Sequence, residues 1–533
     1  MSYVVLEMKK HHFQPILGAG VLDTGLADDH QELRQELVLT RLGLKPEFKR
    51  EFSLFFSFGL SFSIISPLTG ISGGFSAAWN NSGPAAAIYG WKLVSFFSMC
   101  IALSMAEIVS GLPSSGGPFF WSSWLGGKHG PLLSWITGWF NMLGQVALTA
   151  GIASCGMFLV ACMVQLLLGV TMSQLQQLAV YLGILLIGGA ANSFSPKVLT
   201  YFIAFGTFIN IAGVIFLVLL LSAVAPWRES PKFVWATFFG KDMSPNHVPD
   251  DVYLWCQGVV MAAFVFTGYD SSSHISEETK GADSSAPYAI CYSVAASAVV
   301  GYVLLLGMIF NVQDPWDLTS PEAAAGGYAA GQLIFDIFRN RFGPGLGSSS
   351  GSAAALGVFL LASIMCTIAS LTANSRMIYA FARDGGLPFS PFFRRVSPRL
   401  HIPMRTLWLS VTCAFVLGLP LLKSTVAFIA VVSISSLGLT ISYGIPIYFA
   451  YITLCTVNFS LPTTYPVTLQ SFNYTPVAVG LVLLGGLISW FFPIFGARHW
   501  YTGPKLAFDQ ASRTKLQRLN NLKSKSRRFH ATV

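Results

Sequence analysis

The stretch FVFTGYDSSSHISEE, residues 264–278, begins like the middle of a buried helix and then changes character. Glycine, tyrosine, aspartate, three serines and a histidine follow one another within seven residues. The rest of the chain is strongly apolar, with 53% hydrophobic residues, 10% charged residues and a mean hydropathy of +0.60 over 533 positions. Because a soluble protein needs far more charge to cover its surface, the sequence predicts a membrane protein in which this stretch interrupts a span.

Apolar runs recur along the whole chain, most of them near the roughly 20 residues that a bilayer-crossing helix needs. They cover residues 52–78, 86–108, 132–164, 178–191, 198–225, 252–266, 288–310, 353–379, 406–422, 426–452 and 476–495. Strands of a transmembrane barrel alternate apolar and polar residues over about 10 positions, and these runs do not. The fold prediction is therefore an all-α polytopic membrane protein with about 11–12 transmembrane helices embedded in a lipid bilayer.

The net charge of +9 comes from lysines and arginines in the loops beside the spans. This is the positive-inside pattern of membrane proteins, so no nucleic-acid partner is predicted. With a cytoplasmic N-terminus, one side of the membrane holds Arg41, Lys45, Lys49, Arg50, Lys128, Lys197, Lys280, Arg383, Arg394, Arg395, Arg399 and Arg405. The pattern leaves open whether this is the plasma membrane or a vacuolar or other organellar membrane.

The first apolar run contains a similar interruption, LSFSIISPLTGISGGF at residues 60–75. Its Gly70 and the Gly268 of the sixth run are 198 positions apart, about five helices with their loops. Backbone groups freed by such breaks cannot face lipid and must face protein or a water-filled site. Two breaks in register favour an inverted-repeat transporter with a midplane binding site, although glycines can also serve close helix packing.

Several longer motifs accompany these breaks. They are LGLKPEFKREFSLFFSFGLSFS, NNSGPAAAIYGW, LSMAEIVSGLPSSGGPFFWSSWLGGKHGPLLSWITGWFNMLGQVA, FTGYDSSSHISEETKGADSSAP and AFARDGGLPFS. Together they resemble the amino acid/polyamine/organocation (APC) superfamily of permeases, in particular the eukaryotic amino-acid and GABA permease branch that includes choline transporters. The resemblance covers about Leu42 to Pro504.

The resemblance implies a LeuT-like fold with a 5+5 inverted repeat and discontinuous helices 1 and 6, in which helices 3, 8 and 10 complete the pocket. It divides the chain into a cytosolic tail (1–50), a transporter domain (51–498) and a basic cytosolic tail (499–533). Within the transporter domain, the repeats cover about 52–226 and 252–452, and one or more extra helices cover about 453–498. The implied function is secondary active transport of amino acids, GABA or related small ones foremost, by alternating access. A choline or polyamine carrier of the same fold is the alternative.

The resemblance assigns substrate binding to both breaks. At the first, exposed amides and the positive end of a half-helix would hold a substrate carboxylate. At the second, free carbonyls would take the substrate ammonium, and an aromatic ring, Phe266 or Tyr269, would close over it. The implied substrate-binding residues are Ser66, Thr69, Gly70 and Ile71 at the first break and Phe266, Thr267, Gly268 and Tyr269 at the second.

Asp270 follows the second break directly, and a carboxylate inside a span is costly and typically functional. Three roles are open for it: a gate or proton-carrying group, an ammonium ligand, or a cap on the following half-helix. On the third span, Asn141 and Gln145 share one helical face, where they could line the pocket or hydrogen-bond to another helix.

Two further residues are assigned to gating. Glu107 closes the second span, where it could pair with a cation of the inner gate or simply be solvated. Arg376 lies near Asn374 at the cytoplasmic end of the eighth span and is expected in the gate or in an interface. The inner vestibule is expected to hold His274, Glu277 and Glu278.

Other features argue against competing functions. The eight cysteines are scattered, and no spacing between them is typical of a disulfide or metal-binding motif. They are therefore predicted to fill apolar space and to form neither disulfides nor metal sites. An enzyme is not predicted, because no HExxH, GxSxG or Walker motif is present, and no cofactor is expected. A channel or receptor-like membrane protein could share the span count, although no repeated selectivity segment is visible.

A coupling proton is a possible partner. The fifth span lacks the mid-helix lysine of some bacterial relatives and offers Thr207 and Asn210 instead.

The C-terminal third departs from the resemblance, which implies twelve spans. Residues 424–461 number 38, too few for two crossings of about 20 residues each and a turn. The basic tail favours a cytoplasmic C-terminus and hence an even number of crossings, which a short crossing at 453–465 would supply. A shortened variant with eleven crossings is the favoured interpretation.

Protease access to a tag placed after Val533 separates these alternatives. Eleven crossings from a cytoplasmic N-terminus place the tag outside, so protease added to intact cells is expected to cleave it. Cleavage that requires opening of the cytosolic face would instead support twelve crossings. A tag at the N-terminus is the matched control for an intact membrane.

Overall fold

The computed structural model of the protein describes residues 50–240, 250–398, 400, 402–422, 425–447, 475–491, 496–501 and 503. The long helices are α1 (Leu54–Ile65), α2 (Pro67–Gly111), α3 (Gly130–Leu168), α4 (Gln174–Asn192), α5 (Pro196–Val224), α6 (Asp251–Val265), α7 (Ala282–Ile309), α8 (Leu346–Arg383), α9 (Met404–Gly418), α10 (Thr425–Ile447) and α11 (Thr475–Phe491). Shorter helices lie at Pro118–Leu125, Gly127–His129, Pro231–Ala236, Ser271–His274, Ser276–Glu278, Ala329–Phe342, Ser390–Phe393, Leu419–Leu422 and Ala497–His499.

Helices account for the regular structure of these residues, which include no β-strand and one isolated bridge between Phe52 and Thr279. Seven helical stretches of the described chain are long and apolar enough to cross a membrane, and three shorter apolar helices accompany them. The first stretch, Leu54–Gly111, is kinked at Gly83, where φ is +71° and Pro84 follows. Proline cannot continue the hydrogen-bond ladder, so the kink separates the first crossing from the second. These features confirm the prediction of an all-α polytopic membrane protein.

The first helix break lies at Ser66, between α1 and α2. Ser66 has a φ of +34°, and Pro67 after it disfavours a right-handed helical conformation at that position. The prediction that Gly70 belongs to the break is wrong, because Gly70 lies inside the first turn of α2. A Cβ atom at Gly70 would come within 2.5 Å of Val265 Cγ2, so this glycine allows α2 to approach the end of α6 closely.

The second break follows α6 and matches the prediction. Gly268 has a φ of +80°, a conformation that favours glycine, and a one-turn helix resumes at Ser271. A Cβ atom at Gly268 would meet Ile64 Cγ2 at 2.6 Å and Leu148 Cδ2 at 2.9 Å. Since Ile64 is in the last turn of α1, the two breaks lie against each other.

The loops at one end of the bundle are bound together. Phe52 exchanges backbone hydrogen bonds with the segment after the second break, at 3.1 Å to Glu278 O and 2.9 Å from Lys280 N. Ser115, in the loop after α2, and Arg383, at the end of α8, also contact that segment. We call this the basic end, and its contacts agree with the predicted common side of these loops.

The opposite end carries the kink at Gly83 and the longer connections. Phe239 N donates to Ser82 O at 3.0 Å, and Trp79 Nε1 donates to Pro315 O at 2.9 Å. Several predictions concern residues outside the described part of the chain: the short crossing at 453–465, and nearly all of the two tails, residues 1–49 and 504–533.

Asp336, on the helix Ala329–Phe342, gives the opposite end a pH-sensitive group outside the spans. Its residue is 7% exposed, its Oδ1 accepts from Gln332 Nε2 at 2.7 Å, and its Oδ2 has no partner. Burial raises the pKa of this carboxyl to about 7, with Asp314 and Asp317 contributing in the same direction.

A raised pKa in the folded state means that the fold favours the neutral carboxyl. The stability that this preference contributes is present at low pH and is lost as the pH rises through about 7. As the pH rises through about 7, we therefore expect the melting temperature of the detergent-solubilised protein to fall less in Asp336→Asn than in the wild type. Glu322→Gln, an exposed carboxyl in the same connection, is the control. An unchanged pH slope in Asp336→Asn would contradict the assignment.

A candidate site where the two helix breaks meet

Asp270 is the most heavily bonded side chain at the junction of the breaks, and it is fully buried. It accepts from Asn141 Nδ2 at 3.2 Å and from Gln145 Nε2 at 3.3 Å, both on α3. It also accepts from Tyr443 OH on α10 at 2.7 Å and lies 3.0 Å from His274 Nε2. A buried carboxylate is tolerated where donors surround it in this way.

The environment of Asp270 excludes one of the three roles that the sequence left open. Asp270 precedes the helix Ser271–His274 but makes no side-chain capping bond to it, so the cap interpretation is wrong. Asn141 and Gln145 do share a face, as predicted, and that face hydrogen-bonds to the second break. Their Oδ1 and Oε1 atoms are buried without a hydrogen-bond partner.

Helix α10 contributes two side chains that the sequence analysis did not single out. Tyr443 OH accepts from Gly268 N at 3.3 Å, and its ring packs on Tyr269 with centroids 5.2 Å apart. Ser442 Oγ accepts from Asn141 Nδ2 at 3.1 Å. Their signal was visible: Ser435 and Ser436 precede them by seven positions, so polar residues mark one face of an apolar helix.

The backbone of the second break is largely satisfied by protein donors. Thr267 Oγ1 donates to Phe264 O at 2.6 Å, Ser61 Oγ donates to Tyr269 O at 3.3 Å, and Ser271 donates to Gly268 O. The expectation of free carbonyls is therefore wrong for Gly268 and Tyr269 in this conformation. Phe266 packs on Trp91 with ring centroids 4.8 Å apart, so its ring is directed toward α2.

The first break gathers side chains from α5 and α8. Ser66 Oγ donates to Asn210 Oδ1 at 2.9 Å and lies 2.8 Å from Thr69 Oγ1. Cys366 Sγ donates to Ile64 O at 3.2 Å. Predicted residues Ser66, Thr69 and Ile71 are all buried at this position. Asn210 had been noted as a polar residue of the fifth span, whereas Cys366 had been assigned only to filling apolar space.

Two ion pairs at the basic end of the site link α8 to the segment after the second break. Arg383 binds Glu277 through two hydrogen bonds, of 2.7 and 3.1 Å, and Glu277 also accepts from Ser115 N at 3.0 Å. Arg376 Nε donates to Glu278 Oε1 at 3.0 Å, and both side chains are almost inaccessible to solvent. Glu277 and Glu278 are therefore engaged by arginines in this conformation, and their place in an inner vestibule stays a prediction.

The remaining predicted residues differ in their contacts and exposure. Arg376 lies at the basic end in the ion pair with Glu278, and its role in gating stays a prediction. Glu107 is exposed on α2 and belongs to none of the ion pairs of the described residues, which agrees with a solvated helix end. Seven of the eight cysteines are described and all seven are free thiols, while Cys455 lies outside the described residues.

Comparison with known proteins shows which family this chain is similar to. A family model described as amino acid permease matches residues 52–505. The chain is 37% identical to the amino-acid permease BAT1 homolog of Oryza sativa subsp. japonica, over 90% of this chain and 96% of that protein. It is also 37% identical to the amino-acid permease BAT1 of Arabidopsis thaliana, over 87% and 95% of the two chains. A more distant relative is amino-acid permease 2 of Neurospora crassa, at 28% identity over 87% of this chain and 88% of that protein.

These relatives are transporters, which agrees with the long apolar helices and the buried polar junction between two helix breaks. The match covers the helices that build the junction, from Phe52 to α11. The chain belongs to the amino acid permease family.

Proposed function

We propose that the protein is a secondary active transporter that carries small amino acids by alternating access and binds them where the two helix breaks meet. Gly268 packs against Ile64, so broken backbone from two helices lies together inside an apolar bundle. Polar backbone in such a place is tolerated where it meets protein or ligand. The amino acid permease family of the chain supports the same substrate class.

The observation that carries the proposal is the juxtaposition of two helix ends of opposite polarity. Helix α2 begins at Pro67 and presents its positive end, while α6 ends at Val265 and presents its negative end. The two ends are in contact, since a Cβ atom at Gly70 would lie 2.5 Å from Val265 Cγ2. A carboxylate and an ammonium on one molecule complement this pair of ends.

This polarity also ranks the substrates. We assign the carboxylate to the start of α2, at Ser66, Thr69, Gly70 and Ile71, and the ammonium to the end of α6, at Phe266 and Thr267. GABA and related small amino acids carry both groups, whereas choline and polyamines have no carboxylate for the start of α2. A carrier of choline or polyamines is therefore the second candidate.

Gating is assigned to the polar groups on the basic side of the junction. Asp270 acts as a gate or proton-carrying group, and the pairs Arg376 with Glu278 and Arg383 with Glu277 keep the basic end closed. Positive loops favour the cytoplasmic side, so we assign the basic end and the N-terminus to the cytoplasm. Release to that side then requires both ion pairs to separate.

Uptake into vesicles tests the proposed function directly. Purified protein reconstituted in liposomes is expected to take up labelled GABA or small neutral amino acids saturably under an ion gradient, and choline and polyamines more weakly. Protein-free liposomes give the background. If none of these compounds, basic amino acids included, is carried under any gradient, the protein is not the proposed carrier.

The substitution Thr69→Val tests the carboxylate half of the site. Valine keeps the shape of threonine but removes the hydroxyl that lies 2.8 Å from Ser66 Oγ. We expect the apparent substrate affinity to fall by about tenfold, the effect of roughly one lost hydrogen bond to a charged group. Thr412→Val is the control, since Thr412 is exposed on α9 and bonds only to its own helix at Trp408 O. Equal affinities in the two variants would place the carboxylate elsewhere.

A further inference from the structure

The imidazole of His274 connects Asp270 to the loop after α2. His274 Nε2 lies 3.0 Å from Asp270 Oδ2, and His274 Nδ1 lies 3.0 Å from Ser115 O. The side chain is completely buried, and a Cβ atom at Gly117 would come within 2.9 Å of its Cε1. Both ring nitrogens therefore have fixed partners, and the ring has little room to turn.

These two contacts determine how many protons the pair must hold. A backbone carbonyl only accepts, so the contact with Ser115 O requires hydrogen on Nδ1. A neutral ring with hydrogen on Nδ1 presents a lone pair at Nε2, and an ionised carboxylate opposite it would present another. The contact at 3.0 Å therefore needs one further proton between Asp270 Oδ2 and His274 Nε2.

We propose that Asp270 and His274 together form the proton-binding site of the transporter, occupied by one exchangeable proton in the conformation whose basic end is closed. This inference rests on the proposed transport function and specifies its coupling ion. The proton joins the two side chains as imidazolium and carboxylate. Donors from Asn141, Gln145 and Tyr443 all point to Asp270 and favour its ionised form.

The other ionisable groups around His274 do not replace this proton. They belong to the neighbouring helices and connections and are Glu277, Glu278, Lys280, Asp283, Arg376, Tyr379, Arg383, Asp384, Tyr269 and Tyr443. Arg376 and Arg383 are engaged by Glu278 and Glu277, and the contact partners of the ring nitrogens are Asp270 and Ser115. Removal of the proton would leave a net negative charge buried at Asp270, which is unfavourable in a poorly solvated interior.

Ser115 links the proton site to the closed gate. Its carbonyl accepts from His274 Nδ1, while its amide donates to Glu277 Oε1 at 3.0 Å, and Glu277 binds Arg383 at 2.7 Å. Loss of the proton leaves the ring one hydrogen for two acceptors, Asp270 Oδ2 and Ser115 O. If the hydrogen stays with the charged carboxylate, the bond to Ser115 is lost and the support of the ion pair is weakened. Proton release thus accompanies opening of the basic end.

Nitrogen-15 NMR of the full-length protein with labelled histidines, in lipid nanodiscs, measures this proton without transport. The His274 signal is identified by its loss in His274→Gln, and exposed His129 serves as the internal reference. We expect both ring nitrogens of His274 to carry a proton in the wild type at the pH of the transport assays. In Asp270→Asn, at the same pH, His274 is expected to carry one proton. A wild-type His274 with only one protonated ring nitrogen at that pH would overturn the proposal.

Transport gives the second measurement. His274→Gln retains a polar side chain of similar reach but cannot titrate. We expect it to lower accumulation driven by a pH gradient about tenfold more than it lowers substrate exchange at equal pH, because only accumulation depends on the proton. His129→Gln should match the wild type in both assays. Gradient-driven accumulation at the wild-type ratio in His274→Gln would refute the proton site while leaving the carrier function intact. A wild-type protein that carries no amino acid would refute the carrier function, and the NMR result would still decide the proton site.

Discussion

Backbone hydrogen bonds that are opened inside a membrane must be closed again by the protein or its ligand, and the rest of this structure depends on that requirement. Two helices break beside each other, one at Ser66 and the other around Gly268. Side chains from three other helices meet these breaks: Asn210 and Cys366 serve the first break, and Tyr443 serves the second. The breaks are therefore part of the packed core and could not exist in an isolated helix.

The second break is tied to the rest of the bundle through one carboxylate. Asp270 gathers donors from α3, α10 and its own segment, and these elements belong to both halves of the chain. An uncompensated charge at this position would be costly, so every partner of Asp270 is constrained by it. A change in the protonation or position of Asp270 must consequently be felt at α3 and α10 together.

The basic end lies where such a change would be transmitted along the chain. Glu277 and Glu278 follow Asp270 by seven and eight residues and bind arginines on α8. Buried ion pairs are strong only when their geometry and additional hydrogen bonds are good, and the bidentate pair of Glu277 with Arg383, supported by Ser115, meets both conditions. Moving the segment after the second break would disturb both pairs at once. The fold thus places the junction of the two breaks and both ion pairs on one continuous stretch of chain.

The sequence alone determined the class of fold, because hydropathy, proline, glycine and loop charge act locally and can be counted along the chain. It located the interruption at 264–278 correctly, and the shared face of Asn141 and Gln145 follows from helical periodicity. It extended the first break from Ser66 to Thr69, Gly70 and Ile71, although the helix resumes at Pro67, since a glycine in a helix can mark either a break or a close contact, and only the neighbouring Val265 distinguishes them. The contacts of Asp270 with Asn141 and Tyr443, the pairing of Glu277 with Arg383 and the contact of His274 with Ser115 were decided by the tertiary structure. Each of these joins residues more than 100 positions apart in the chain, brought within hydrogen-bonding distance by helix packing, and no local pattern records which of them will meet.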